Sequence, residues 1–383
     1  MAAKSRQGRV MIFVHDLRAS GVVRNTLAIA RRVSEDHEVM LVARYGNGLL
    51  AEDAETGIHS VRTLFPAGRS GPLWSAALRL RSLVREWQPD VLLSTGNRGH
   101  WVARLALVGR KLPLRLFRIS NSVEAGRKDF GLRRIASQLL SRGADTLFLV
   151  GEATGGSRAF AEAIADGRAK SVPSGVDRER ARKLAAAAAP ADWPGDDLPA
   201  VLSIGRLAPQ KDFPTLIRAA AIAARQRPLR LVIVGKGDRT VIAGLRQLAT
   251  AEGLDLRLPG ESDNVFAWLG RSAVFVLPSR WEGSSLALLE ALAVDVPVVA
   301  TREAGDSVQV LDDGRYGLLV DAGEAEAMAD AILRQLSPEQ VRPGERAAHY
   351  DIEVTLERYA VGVDEAVARA AALRASVVAG SAG

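Results

Sequence analysis

With 383 residues, 48% of them hydrophobic and 25% charged, the chain exceeds one comfortable core and reads as two globular domains of roughly 180 residues each. The absence of cysteine excludes disulfides, thiolate catalysis and cysteine-ligated zinc. Apolar runs are interrupted too soon for a membrane-spanning helix, as Glu290, Asp295 and Pro297 interrupt the stretch from Leu286 to Ala300.

The net charge of +7 is unevenly placed. Residues 1–190 carry 31 Lys and Arg against 17 Asp and Glu, whereas the remainder carries 20 against 27. A basic first half suits an anionic partner: nucleic acid, an acidic membrane leaflet or a phosphorylated substrate. A solvated arginine-rich surface is the plainer alternative.

In chain order, MAAKSRQGRVMIFVHD begins with positive charge, but its apolar run is short and ends in His15 and Asp16. It is expected to be a first buried strand rather than a signal peptide. Short apolar segments then recur at 10–16, 37–45, 90–96, 114–120 and 145–151. Helix-compatible spacing fills Gly21 to Val33, Leu73 to Trp87, Gly99 to Gly109, Leu132 to Leu140 and Ala153 to Ile164. Such alternation predicts a parallel α/β sheet with crossover helices. The alanine run and three prolines between Ala185 and Ala200 predict an interdomain linker. Strand signals resume at 200–206, 230–237, 274–279 and 297–301, and a helix is expected from Asp351 to about Ser376 before a fraying end.

Several nucleotide-site patterns are missing. The first strand is followed by one glycine, Gly21, instead of G-x-G-x-x-G, which disfavours a hydride-transfer enzyme. No P-loop occurs, and no two aspartates are separated by one residue, which removes the D-x-D metal motif.

Two strand–loop–helix segments carry the chemistry. In 203–219, Arg206 and Lys211 flank a loop beyond a strand's carboxyl end, with Asp212 as a helix N-cap and Pro214 in the first turn. A guanidinium fork beside an ammonium suits a diphosphate that gains charge as a bond to it breaks. Two ordinary exposed basic residues remain the alternative. In 277–301, Glu282 and Glu290 are spaced E-x7-E around a helix start at Gly283 and Ser284. That spacing leaves Glu282 in the loop and Glu290 nearly two turns inside the helix. A carboxylate accepts two hydrogen bonds and matches a vicinal diol. Backbone N–H groups around Ser284, Ser285 and Leu286 can receive phosphate. Paired surface glutamates are the competing reading.

Together with Gly235-Lys236-Gly237, these segments resemble glycosyltransferase family 4, the retaining enzymes of GT-B fold. The resemblance runs from Val201 to about Val320, ending in Asp313-Gly314 and GLLV (317–320). In the first half it rests on Gly21, FRISN (117–121) and PSGVD (173–177). It implies two Rossmann-like α/β/α domains facing a deep cleft: residues 1–188 for the acceptor, 189–350 for the donor, and 351–383 as a helix returning to the first domain with a frayed tail. It assigns Arg206 and Lys211 to the donor diphosphate, Glu290 to the ribose, and Glu282 to the transferred sugar, with Arg206, Lys211 and Glu282 as the catalytic set. Gly21 would let the first loop approach the phosphates, and Gly235, Ser284, Ser285 and Leu286 complete the donor site. His100, Arg118, Ser120 and Asn121 are placed near the acceptor or sugar.

The resemblance implies no metal and no cofactor beyond the nucleotide-sugar co-substrate. Its implied partners are a glycan or lipid-linked acceptor and an anionic membrane surface, without nucleic acid. The implied location is cytoplasmic, with peripheral attachment to the cytoplasmic membrane as the alternative that the basic half raises. The chain departs from the family at Ser284-Ser285, where many members have Phe-Gly, and at Gln309, where many have glutamate. Where many place a histidine after the strand at 114–120, it has Ser120 and Asn121. A sugar-nucleotide epimerase of the same fold, a nucleic-acid-binding protein and an inactive scaffold are the competing functions. Scattered histidines disfavour the first, and a low aromatic content of 5% the second.

Overall fold

The computed structural model describes residues 8–18, 21–46, 48, 50–96, 99–120, 130–151, 154, 157–195 and 197–381. It contains two wholly parallel sheets, as the alternating sequence pattern predicts. The first joins β1 (Arg9–Val14), β2 (Glu38–Tyr45), β3 (Ser60–Phe65), β4 (Val91–Ser94), β5 (Leu114–Ile119), β6 (Thr146–Val150) and β7 (Ala169–Val172) in the order β3-β2-β1-β4-β5-β6-β7. The second joins β8 (Ala200–Ile204), β9 (Arg230–Val234), β10 (Leu256–Gly260), β11 (Val274–Leu277), β12 (Val298–Thr301) and β13 (Leu318–Val320) in the order β10-β9-β8-β11-β12-β13.

Both faces of each sheet are covered, which is why the central strands are continuous apolar runs. Along β1, Val10, Ile12 and Val14 enter one core and Met11 and Phe13 the other, because successive side chains point to opposite faces. In each sheet the strand order reverses beside the first strand, between β1 and β4 and between β8 and β11. Ligands of doubly wound sheets collect outside the carboxyl ends at such points.

The long Ile352–Ser381 helix packs on the first sheet, burying Leu356, Tyr359, Val363, Ala366 and Val367 in the core that contains β1. The chain therefore crosses between the units twice, and the crossings lie side by side. Val176 N–H donates to the Tyr350 carbonyl at 2.8 Å, and Ile352 N–H to the Val176 carbonyl at 3.2 Å. Packing of the second unit takes in Val176 and Ala181, ahead of residue 189. The proline-rich segment after Ala185 is fastened to that unit: Trp193 meets Trp268 edge-on at 5.8 Å, and Arg271 Nη2 donates to the Ala187 carbonyl at 2.8 Å.

Candidate functional site

A cavity of about 470 Å³ lies between the two units. Its walls are the loops after β8 and β11 on one side, and the ends of β5 and β6 with the start of the Gly21–Ser34 helix on the other. It thus occupies the switch points of both sheets. A wider groove of about 670 Å³ runs between β7 and the Ile352–Ser381 helix, but it flanks an edge strand, away from the switch points of both sheets.

The wall from the second unit gathers the two charged segments. Lys211 Nζ lies 2.5 Å from Glu282 Oε1. Ser279 Oγ donates to the same oxygen at 2.9 Å, and Gln210 Nε2 to Glu282 Oε2 at 3.2 Å. Gln210 also donates to the Trp281 carbonyl, which ties the two loops together. Arg206 is exposed at the rim. Asp212 caps the Phe213–Gln226 helix by position only, since its carboxylate is taken by Thr215 Oγ1 and Arg280 Nε. Gly205 and Gly235 pass so closely that a Cβ on Gly235 would fall 1.9 Å from the Gly205 carbonyl oxygen. Gly235 supports the Arg206 loop from beneath and does not line the cavity.

The second helix of this wall starts later than the sequence suggests. It runs Leu286–Ala293 with Ser285 at the N-cap position and no side-chain capping bond, so Glu290 stands little more than one turn inside it. Its first N–H groups are left for a ligand or solvent. Burial pushes the Glu290 carboxyl above its usual range, opposed by the nearby charges of Arg24 and Lys211. Asp306 lies behind this turn, almost wholly buried, and burial pushes its carboxyl up to about 6 against the hydrogen-bonding groups of Ser284 and Ser285. A Cβ on Gly151, at the end of β6, would stand 2.9 Å from Asp306 Oδ2, so the units touch here.

On the opposite wall the Gly21–Ser34 helix aims its N-terminus at that of Leu286–Ala293. A Cβ on Gly21 would lie 2.4 Å from Leu286 Cδ1. The absent side chain at residue 21 therefore makes room for Leu286 as well as for the cavity. Arg118 and Ser120 line the cavity. Arg118 is buried, and its Nε donates to Tyr359 Oη at 2.9 Å. His100 does not reach the cavity: it stacks on Phe117 at 5.1 Å, its Nδ1 lies 2.8 Å from Ser94 Oγ, and burial pushes it down to about 3. Asn121 lies outside the described residues.

The cavity thus gathers Gly21, Arg118, Ser120, Arg206, Lys211, Glu282, Ser284, Ser285, Leu286 and Glu290. Sequence reasoning missed Arg24, Asn25 and Gln210. Gln210 had a signal in its position next to Lys211. Arg24 had one too, as a cation in the first turn of a helix with no acidic residue there, where the helix dipole disfavours positive charge.

A family model described as Glycosyltransferase Family 4 matches residues 19–180, and one described as Glycosyl transferases group 1 matches residues 198–337. The lipopolysaccharide core biosynthesis glycosyltransferase LpsE of Rhizobium meliloti is 36% identical over 163 residues, 42% of this chain and 46% of that protein. A D-inositol 3-phosphate glycosyltransferase of Arthrobacter is 33% identical over 183 residues, 43% of each chain. The chain spans less than half the length of these two relatives. A GDP-mannose-dependent phosphatidylinositol monomannoside mannosyltransferase of Mycolicibacterium smegmatis is 28% identical over 82% of this chain and 85% of its own. Among solved structures, Anabaena HepE in complex with UDP and glucose superposes with a TM-score of 0.74 at 18% identity, covering 93% of this chain and 99% of that one. The lipopolysaccharide glycosyltransferase WaaG gives 0.69 at 16%, covering 92% and 98%. These neighbours share the GT-B fold, with two parallel-sheet units about a cleft. With two adjoining models matching the two units in order, the chain is similar to glycosyltransferase family 4 along its first unit and to the group 1 glycosyl transferases along its second, and is family 4-like as a whole.

Proposed function

We propose that the protein transfers a glycosyl unit from a nucleoside diphosphate sugar to an acceptor hydroxyl, with retained anomeric configuration, in bacterial glycan or glycolipid assembly. The observation that carries this reading is the convergence of Arg206, Lys211, Glu282, Glu290 and two helix N-termini on one cavity at the carboxyl ends of both sheets. The N–H at Leu286 faces the diphosphate, that of Ser285 being engaged by Asp306, with Arg206 and Lys211 supplying charge that counts most as the leaving phosphate becomes anionic. Glu290 takes the ribose diol. Glu282 positions the sugar by hydrogen bonding, since Lys211, Ser279 and Gln210 already occupy its oxygens. The bond from the anomeric carbon to phosphate breaks as the bond to the acceptor oxygen forms, and the acceptor proton passes to the departing phosphate oxygen. No step is assigned to a metal or to another cofactor.

The test is a donor screen. UDP, GDP, ADP and dTDP are first ranked by thermal stabilisation, and the matching sugar nucleotides are then assayed for transfer. Arg206→Ala and Lys211→Ala should each lower kcat by about 10². Stabilisation by none of the four diphosphates rejects the reading.

The acceptor reading includes an anionic membrane leaflet. Among the described residues no helix is long and apolar enough to cross a membrane. The Leu73–Trp87 helix leaves Trp74 65% and Leu78 60% exposed on the basic half, while Leu80 and Val84 face the core. Two of its arginines are committed to the fold, Arg79 to the Leu64 carbonyl and Arg81 to those of Ala106 and Val108. Attachment through this helix thus rests on its apolar residues, with Arg85 and the surrounding basic charge adding a salt-sensitive part. In the second basic segment, 127–142, Ile135 and Leu139 are exposed; residues 127–129 and the side chains of residues 130–133 lie outside the described ones. Sedimentation with liposomes of graded anionic lipid content decides the matter. Trp74→Ala should abolish binding that wild type shows, and failure of wild type to sediment at low salt rejects it.

A further inference from the structure

Among the described residues Arg118 is a cation without a charge partner; it stands at the end of β5, where it lines the first unit's side of the cavity. It is 3% exposed. Its Nε–H is used by Tyr359 Oη at 2.9 Å, and its Nη1 is buried with no hydrogen-bond partner. Among the described residues no carboxylate lies within ion-pair distance of it. The cavity's two glutamates are engaged elsewhere: Glu282 lies against Lys211, and Glu290 faces Arg24 and Lys211.

A buried guanidinium is costly unless paired, and leaving its N–H groups unmatched adds to that cost. The fold nevertheless holds this one firmly. Its carbon sits 5.9 Å from the Tyr359 ring centroid, and Tyr359 in turn meets Phe148 edge-on at 5.0 Å within the core. A planar fork on a residue that lines the cavity, with Nη1 unmatched, has the donor geometry that suits a phosphate or carboxylate.

We propose that Arg118 is an anion-recognising specificity residue: the substrate group seated against the first unit's wall carries a phosphate or carboxylate that the free edge of its guanidinium receives, with Tyr359 as its positioning residue. The inference rests on the glycosyl-transfer reading and narrows it to a charged acceptor or a charged donor sugar. It assigns Arg118 a task separate from that of Arg206 and Lys211, which lie on the opposite wall.

The test separates these sites. Wild type and Arg118→Gln are titrated with the nucleoside diphosphate that binds best, and then, at saturation with it, with glycerol 3-phosphate. Separately, the matching nucleotide glucuronate is compared with the nucleotide glucose. Arg118→Gln should bind the diphosphate as wild type does, which also shows that it folds. It should weaken either glycerol 3-phosphate or the nucleotide glucuronate about tenfold or more, leaving the nucleotide glucose unchanged. Loss on the first probe assigns the anion to the acceptor, and loss on the second to the donor sugar. Arg118→Lys should recover part of the binding. Tyr359→Phe should weaken the same probe several-fold at unchanged diphosphate affinity. Equal binding of both probes by wild type and Arg118→Gln overturns the proposal, as does loss of the diphosphate itself, which would put Arg118 in the donor phosphate site. If wild type binds no diphosphate, the glycosyl-transfer reading fails instead, and titration of glycerol 3-phosphate alone against both proteins still decides whether Arg118 holds an anion.

Discussion

The Lys211 ammonium lies 2.5 Å from the Glu282 carboxylate, and both side chains are mostly covered by protein. A phosphate that recruits Lys211 must compete with this carboxylate. Glu282→Gln removes the competitor, so it should bind the nucleoside diphosphate more tightly than wild type while depressing turnover. Lys211→Ala should weaken the diphosphate and lower kcat together. Calorimetry with the preferred diphosphate checks both, and equal or weaker binding by Glu282→Gln counts against the competition.

Glu290 should act through binding. A bidentate contact to ribose is made equally in ground and transition states, so Glu290→Gln should raise the donor KM, or the diphosphate Kd, by roughly 1 to 2 kcal/mol with little change in kcat. Arg24 faces Glu290 and favours its charged form. Arg24→Ala should therefore move any acid limb in donor binding to higher pH, seen by repeating the titration between pH 5 and pH 8. An unmoved limb removes Arg24 from the account.

Two glycines should respond differently to the same substitution. At Gly21 the obstacle is the tip of a flexible side chain, Leu286 Cδ1, which can rotate away. At Gly235 it is the backbone oxygen of Gly205, 1.9 Å from the new Cβ, which cannot move without displacing the Arg206 loop. Gly235→Ala should cost about 1 to 3 kcal/mol of stability and weaken diphosphate binding, whereas Gly21→Ala should cost less. Urea denaturation ranks them. The reverse order would mean that Leu286 cannot rotate away from residue 21.

The pH dependence of stability has two opposed parts. Asp306 rises from 3.8 to about 6 on folding, so its contribution is full below 3.8 and is lost as pH climbs through 6. His100 falls from 6.5 to about 3, so its contribution is full above 6.5 and is lost as pH drops toward 3. Between about pH 4 and pH 6 each slope approaches 1.4 kcal/mol per pH unit with opposite sign, and they largely cancel. Asp306→Asn leaves the histidine slope unopposed. Its melting temperature should fall more steeply than that of wild type on acidification from pH 6 to pH 4. Parallel curves would show that Asp306 is not held protonated.

The interior of the fold was legible in the sequence, and its margins were not. The runs read as strands correspond to β1, β2, β4, β5, β6, β8, β9, β11 and β12, all covered on both faces. The strands not read as such, β3, β7, β10 and β13, are the four sheet edges. There one flank is open, residues such as Arg62 and Thr63 are exposed, and Pro259 is tolerated, so the apolar signal fades. The same division holds for the cavity. The wall from the second unit was read from two contiguous loops whose spacing carries the chemistry. The other wall collects single residues from a helix start and strand ends far apart in sequence, such as Arg24 and Arg118, and only the sheet order brings them together. Asp306 was invisible because its burial depends on Gly151 of the other unit.

The Ile352–Ser381 helix has a consequence for how the chain is made. It covers the β1 face of the first sheet but leaves the ribosome about 180 residues after β7, a delay on the order of ten seconds or more. Until then the surface that receives Tyr359, Val363 and Val367 stays uncovered, inviting association with chaperones or with other nascent chains. A fragment ending in the proline-rich segment would keep that surface permanently. The helix passes close to Gly8, where a Cβ would meet Val367 Cγ1 at 2.5 Å. A circular permutant that carries residues 352–381 ahead of β1 would therefore supply the missing cover first, and the first unit could then fold as soon as its own strands emerge.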